Sequence, residues 1–183
     1  MHKKITIAIS GQPVSGKTTY ARFIAEKYGL RHISSGKLFR MYAKEKGLSL
    51  LELHKLAEID SSIDATIDAK ALQEAKKGNV VVEGHLAAWI VKDYADIRIF
   101  FKAPLEERGK RLSKRDNISI EEAIKEIITR EESNKKRAKK YYGINLDDWN
   151  IFDLIIDTSK LNIPNIKNLL SFYIDLYLQE HKL

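Results

Sequence analysis

Cysteine is absent from the 183 residues of this chain, so neither a disulfide framework nor a thiolate-bound zinc site is open to it. Proline occurs only three times, and no linker, repeat or low-complexity tract divides the sequence, so one folded domain is expected. No apolar run reaches the roughly 18 residues that a membrane span requires. Met1-His2-Lys3-Lys4 leads straight into a strand pattern, without the apolar stretch of a secretory leader. A cytoplasmic protein with no membrane partner is the expectation. Aromatic residues make up 9% of the chain, and in its most basic segment they gather only at the end, as Tyr141 and Tyr142. Single-stranded nucleic acid is bound by stacking side chains interleaved with the charges, so nucleic acid is not an expected partner.

Charge is plentiful. Lysine and arginine number 32 against 25 acidic residues, a formal net charge of +7. Between residues 102 and 142 basic side chains outnumber acidic ones thirteen to eight. A surface of that kind suits a polyanion, large or small.

Five buried-strand patterns alternate with helical ones: 4–10, 30–34, 79–84, 96–103 and 152–159. Alternation of that kind argues for an α/β fold, a parallel sheet covered on both faces. Helices are expected over 17–28, in three pieces over 36–77, from Pro104, from Ser119 to about Gly143, and at the C-terminus. Ser49 and Ser61 are the expected N-caps of the second and third pieces. The stretch 36–77 is long for one crossover and suggests a small helical subdomain.

The residues that carry chemistry begin at the end of the first strand. Gly11-Gln12-Pro13-Val14-Ser15-Gly16-Lys17-Thr18 satisfies G-x-x-x-x-G-K-[ST] between a strand and a helix, the context that makes it a phosphate-binding loop. Glycines let the backbone wrap a phosphate closely. Successive N–H groups then form an anion nest at the positive end of the helix. Lys17 is placed to bridge β- and γ-phosphates, and Thr18 offers a hydroxyl to Mg²⁺. The next apolar strand ends in Glu83 rather than the Asp of a motor or GTPase, and no Asn-Lys-x-Asp is present. A small-metabolite kinase fits better.

Further cationic groups follow. Arg40 lies one turn into a helix whose start carries Ser34, Ser35 and Gly36, a good receptor for a second phosphate; a solvated helix-face arginine is the alternative for that fragment alone. Arg108, Arg111 and Arg115 share one helix face, and Arg130, Asn134 and Arg137 another. With the "DNISI" tip between them, these two faces form a lid candidate able to close over a triphosphate. Lysines 135, 136, 139 and 140 read as a solvated face.

Taken together, "SGQPVSGKTT", "ISSGKLFR", "VVVEGHLAAW", "FFKAPLEERGKRLSKRD", "ISIEEAIKEIITREESNKKRAKKYYGI" and "DLIIDTSKL" resemble the archaeal type of cytidylate kinase, within the nucleoside monophosphate kinases, over nearly the whole chain. The resemblance implies a P-loop three-layer sandwich with a five-stranded parallel sheet of order 2-3-1-4-5. It also implies a monophosphate-binding subdomain at about 35–77 and a lid at about 108–130, in one domain spanning 1–183. The implied reaction is transfer from ATP to CMP or dCMP, with Mg²⁺. Gly11 to Thr19 would hold the ATP phosphates, with Lys17 neutralising them and Thr18 and Glu83 serving the metal. Ser35, Arg40, Gly84 and His85 would face the acceptor. Arg111 and Arg115 would serve the ATP side, Arg130 and Arg137 would bridge donor and acceptor, and Thr158-Ser159-Lys160 would lie near the adenine. His85 departs from the arginine expected there. Gln12 and Val14 also depart, with side chains not required to face the phosphates.

Asp60, Asp64 and Asp68 share a helix side; they suit the exocyclic amine of cytosine, but a solvated face is the plainer expectation. Trp89 reads as core or groove lining, His32 and His54 as surface or core. The stripe Leu169, Leu170, Tyr173, Ile174, Tyr177 reads as a helix packed on the sheet, or a dimer contact in a monomer or weak homodimer. Two other functions stay open: a P-loop kinase for UMP, AMP or a small metabolite, and a nucleotide-dependent RNA-binding ATPase.

Overall fold

Runs of Ile and Val with small residues give strands that can be buried on both faces, and the sheet is built from five of them. A computed structural model describes residues 5–182; Lys4, the expected first strand residue, lies outside that range. The strands are β1 (Thr6–Gly11), β2 (Arg31–Ser34), β3 (Val80–Glu83), β4 (Ile97–Lys102) and β5 (Leu154–Asp157). They are all parallel, in the order β2-β3-β1-β4-β5. Every residue of central β1 is buried.

Side-chain alternation divides the core in two. Ile7, Ile9, Ile97, Ile99 and Phe101 face α1 (Lys17–Lys27) and α8 (Ile163–His181), packing with Ile24, Ile166, Leu170 and Ile174. The expected terminal stripe is therefore core on its inner side, while Leu169 and Phe172 are exposed. On the other face Ala8, Val80 and Val82 pack against α4 (Ser62–Lys77) and α5 (Ala87–Ile90). The four-residue α5 has no counterpart in the sequence pattern.

Two further clusters build the site's walls. Helices α2 (Ser35–Glu45) and α3 (Leu50–Ala57) meet α4 through Phe39, Ala43, Leu53, Ala57, Ile63 and Ile67. Helices α6 (Leu105–Asp116) and α7 (Ile120–Tyr142) form a hairpin sealed by Leu112, Ala123 and Ile127. They approach so closely that a Cβ on Gly109 would lie 2.7 Å from Ile124 Cγ1.

The helix starts follow local chemistry. Ser49 and Ser119 each form a reciprocal capping box, with Glu52 and Glu122. Ser61 occupies the N-cap position of α4, but its side chain makes no capping bond. Instead Asp60 accepts from the backbone N–H and the hydroxyl of Ser62, at 2.9 and 2.6 Å. The "DNISI" tip is a tight turn: Asn117 takes a left-handed conformation at the end of α6, and Ser113 Oγ donates to Ile118 O at 2.6 Å.

Candidate active site

Parallel α/β sheets bind ligands beyond the carboxyl ends of their strands, and β1, β2 and β3 end at one cleft of about 450 Å³. The loop after β1 forms its floor. Gly11 has φ +150°, and a Cβ there would sit 2.2 Å from Phe101 O, so the close approach of β1 to β4 admits only glycine. Gly16 begins α1 at φ +92°. Between them Val14 holds φ +62°, a strained conformation for a β-branched residue. It is braced against the α6–α7 cluster.

Two polar side chains fix the loop from behind. Gln12 Oε1 accepts from the Ala103 N–H at 3.0 Å, so it faces away from any phosphate. Arg108 is 3% exposed; it donates to Ala103 O at 2.9 Å, Pro13 O at 3.3 Å and Glu131 Oε1 at 2.7 Å. Arg108 thus departs from the arginine face predicted for it. Buried behind the loop, it holds the loop's shape instead of facing the cleft.

At the mouth, Lys17 Nζ donates to Gly11 O at 3.0 Å and Gln12 O at 2.7 Å. Burial draws its pKa down to about 8, against the opposing pull of Glu83. An incoming anion would relieve that desolvation. Thr18 Oγ1 donates to Glu83 Oε1 at 2.9 Å. Glu83 is 2% exposed, and its Oε2 is buried with no partner among the described residues. His32 Nε2 stands 3.8 Å from Glu83 Oε1, and burial holds this imidazole below its ordinary pKa.

The opposite wall begins at α2. Ser34 Oγ accepts from the Lys37 N–H at 3.1 Å and caps the helix. Ser35, Gly36 and Arg40 line the cleft behind it. Gly84 lies so close that a Cβ would stand 2.8 Å from Ser35 Cβ. His85 also lines the cleft; its Nε2 is buried with no partner among the described residues, and burial, with Arg137 and His54 adding to it, keeps the ring neutral.

The arginines close the cleft from α6 and α7. Arg111 makes a fork to Thr158, Nη1 to the hydroxyl and Nη2 to the carbonyl, both at 2.8 Å. Thr158 Oγ1 in turn donates to Ser15 O at 3.0 Å, tying β5's end to the phosphate loop. Arg115 pairs with Asp116, and Arg130 with Glu126. Arg137 is 1% exposed, bonded through Nη1 to Asp64 and through Nη2 to Asn134 Oδ1 at 2.8 Å. The Nε atoms of Arg130 and Arg137 are buried with no partner among the described residues. Buried polar groups are normally paired, so the orphaned atoms gathered at this cleft mark it as built for a polar ligand.

Sequence reasoning missed part of this wall. Asp60 is exposed, as the solvated reading has it, but Asp64 is 4% exposed and paired with Arg137. Asp68 is half-buried and accepts from Tyr142 OH at 2.6 Å. Both aspartates line the cleft. His54 is buried there too, its Nδ1 3.2 Å from Arg137 Nη2. Burial and Arg137 push it down to about 3. Nothing in the local pattern points to His54; the i, i+4 spacing of the two aspartates was the one legible sign.

Comparison with known proteins agrees with this geometry. The model of the cytidylate kinase-like family matches residues 6–160. A protein of Staphylothermus marinus named cytidylate kinase is 49% identical over 96% of this chain and 99% of its own length. One of Methanocaldococcus jannaschii with the same name is 50% identical over 92% and 97%. Among solved structures, a shikimate kinase from Bacteroides thetaiotaomicron superposes with a TM-score of 0.62 at 17% identity, covering 94% of this chain and 99% of its own, a likeness of fold alone. With a phosphate loop, a facing arginine wall and relatives at half identity along nearly its whole length, the chain belongs to the cytidylate kinase-like family.

Proposed function

We propose that the chain transfers the γ-phosphoryl group of ATP to CMP and dCMP, giving CDP and dCDP. The observation that carries this reading is one cleft with two cationic cradles, the Gly11–Thr19 loop on one side and Arg40 at the start of α2 on the other. The relatives' names favour a cytidine nucleotide as acceptor.

Thr18 and Glu83 offer hard oxygens beside the loop, one of them orphaned, and so fit Mg²⁺. When bound, the ion would neutralise charge on the β- and γ-phosphates. Lys17 leaves its two carbonyls to meet the transferring group. Ser35 and Arg40, with Gly84 and His85 beside them, seat the acceptor phosphate, whose own oxygen attacks in line, so no covalent enzyme intermediate is required. Arg130 and Arg137, with orphaned Nε donors, spread over the charge shared between donor and acceptor. Arg111 and Arg115 belong to the ATP side, where α6 and the start of α7 act as a lid, about 108–130, that excludes water. Helices α2 to α4, about 35–77, form the acceptor subdomain. The working protein is a cytoplasmic monomer or weak homodimer.

The test is a coupled ADP-release assay with Mg·ATP against CMP, dCMP, UMP, AMP and GMP, beside a reaction with no acceptor. ADP release confined to CMP and dCMP is expected. Lys17→Ala should lower the rate by orders of magnitude with the fold intact. Equal release without acceptor would overturn the kinase reading.

A further inference from the structure

The acceptor wall contains more than a phosphate seat. Beyond Arg40 the cleft is walled by Phe39, Leu50 and Ile67, apolar surfaces suited to a flat ring. Into this apolar space the buried side of α4 sends two carboxylates one turn apart. Asp64 uses one oxygen for Arg137, and its other oxygen is buried with no partner among the described residues. Asp68 uses Oδ2 for Tyr142, and no described residue donates to its remaining oxygen. An unpaired acceptor in a desolvated, apolar site is costly unless a ligand donates to it.

A donor of this wall is also defined. Arginine has no acceptor, so the contact between Arg137 Nη2 and His54 Nδ1 makes Nδ1 the acceptor and leaves the ring proton on Nε2. Acceptors therefore stand on α4, and a donor, the His54 Nε2–H, on α3. A cytosine offers the complement: an exocyclic amine that donates, and a ring nitrogen and a carbonyl that accept. Uracil places a carbonyl oxygen where cytosine has the amine, which would set oxygen against carboxylate. A site that leaves a carboxylate unpaired rejects the wrong base more strongly than a merely apolar pocket does.

We infer that Asp68, held in place by Tyr142, is the residue that selects cytosine over uracil in the acceptor, with Asp64 as the second acceptor of the same wall. This inference rests on the reading of the chain as a pyrimidine-nucleotide kinase. Asp68 touches the base and is a specificity residue; Tyr142 acts through it and is a positioning residue. Asp64 also anchors Arg137, so its replacement would disturb phosphate and base together, and Asp68 is the cleaner probe.

The experiment measures kcat/KM for CMP and for UMP, and the KM for ATP, with the wild type, Asp68→Asn and Tyr142→Phe. An asparagine keeps the shape but adds an N–H donor that uracil can accept. Losing a charge-assisted hydrogen bond should lower kcat/KM for CMP about 10- to 100-fold. Activity with UMP should hold or rise, and the KM for ATP should stay within about twofold. Tyr142→Phe should shift the CMP-over-UMP ratio in the same direction by a smaller factor. Titration calorimetry with CMP and UMP alone gives the same comparison without turnover. A wild type that phosphorylates no pyrimidine nucleotide but accepts another substrate removes the proposed function, and this inference with it. A wild type that prefers CMP, with both variants keeping its full CMP-over-UMP ratio, overturns the inference alone.

Discussion

Gly84→Ala is the smallest change that should separate acceptor binding from ATP binding. Gly84 follows β3, and its N–H donates to Ile9 O at 3.0 Å, so its backbone is fixed against central β1. Its φ lies outside the left-handed region. Space is therefore the obstacle. An added Cβ would stand 2.8 Å from Ser35 Cβ and 2.9 Å from Ser35 Oγ, where carbon atoms prefer about 3.5–4.0 Å. Ser35 cannot swing aside, because the nearer atom is its Cβ, joined directly to the first residue of α2. The start of α2 must retreat by several tenths of an ångström, carrying Gly36 and Arg40 with it. Overpacking of this kind costs about 1–3 kcal/mol, a fall in Tm of about 3–10 °C for a chain this long. The kinetic effect should be selective. A misplaced Arg40 should raise the KM for CMP about tenfold or more. The KM for ATP should stay within about twofold, because the phosphate loop is held separately by Gln12, Arg108 and the Gly11–Phe101 contact. Differential scanning calorimetry and initial rates with each substrate varied give both numbers. The double variant Ser35→Gly with Gly84→Ala removes the clashing Cβ and should recover most of the lost Tm, a coupling that single-site damage would not produce. A Gly84→Ala protein with unchanged Tm and unchanged KM for CMP, or one impaired only toward ATP, would refute the reasoning.

Asp68 should make the stability of the nucleotide-free protein depend on pH. Burial, with the Asp64 charge adding to it, raises its pKa from 3.8 to about 6 despite the Tyr142 hydrogen bond and the Arg137 charge. The folded state therefore holds the proton more tightly, and stability present below about 4 is lost as pH rises through about 6. The loss is at most about 3 kcal/mol, so Asp68→Asn should gain more in Tm over wild type at pH 7.5 than at pH 4; a constant gain would refute this. With Tyr142, Asp64 and Arg137 around it, protonated Asp68 becomes a donor, and relative activity on UMP should be greater at pH 5.5 than at pH 8. Arg108→Met leaves the carbonyls of Pro13 and Ala103 and the Glu131 carboxylate unpaired, which should cost about 3–5 kcal/mol and raise the KM for ATP. A normal melting curve for that variant would return Arg108 to the cleft. Thr18→Val removes the hydroxyl beside Glu83 and should raise the Mg²⁺ concentration needed for half-maximal rate; an unchanged Mg²⁺ titration would exclude Thr18 from the metal site.

Much of the fold was legible in the sequence because its determinants are local. Alternating β-branched runs and amphipathic helices give the five strands and the order of elements, and Ser49 and Ser119 announce their helices through capping boxes three residues long. The phosphate loop is legible for the same reason: a nest of backbone N–H groups needs its glycines, lysine and threonine within eight positions. Sequence alone also put Arg40 after a serine-rich helix start. What it did not determine is every role that depends on a partner far along the chain. Arg108, Arg111 and Arg115 share a helix face, yet Arg108 faces the back of the loop, Arg111 reaches Thr158 and Arg115 pairs with its neighbour Asp116. Asp64 and Asp68 look solvated until α7 is laid across α4, bringing Arg137 and Tyr142 more than 70 residues along the chain onto them. A side chain's charge is written in the sequence, but its desolvation is set by the surfaces packed around it, and only the tertiary structure decides which charges are buried and so what they can recognise.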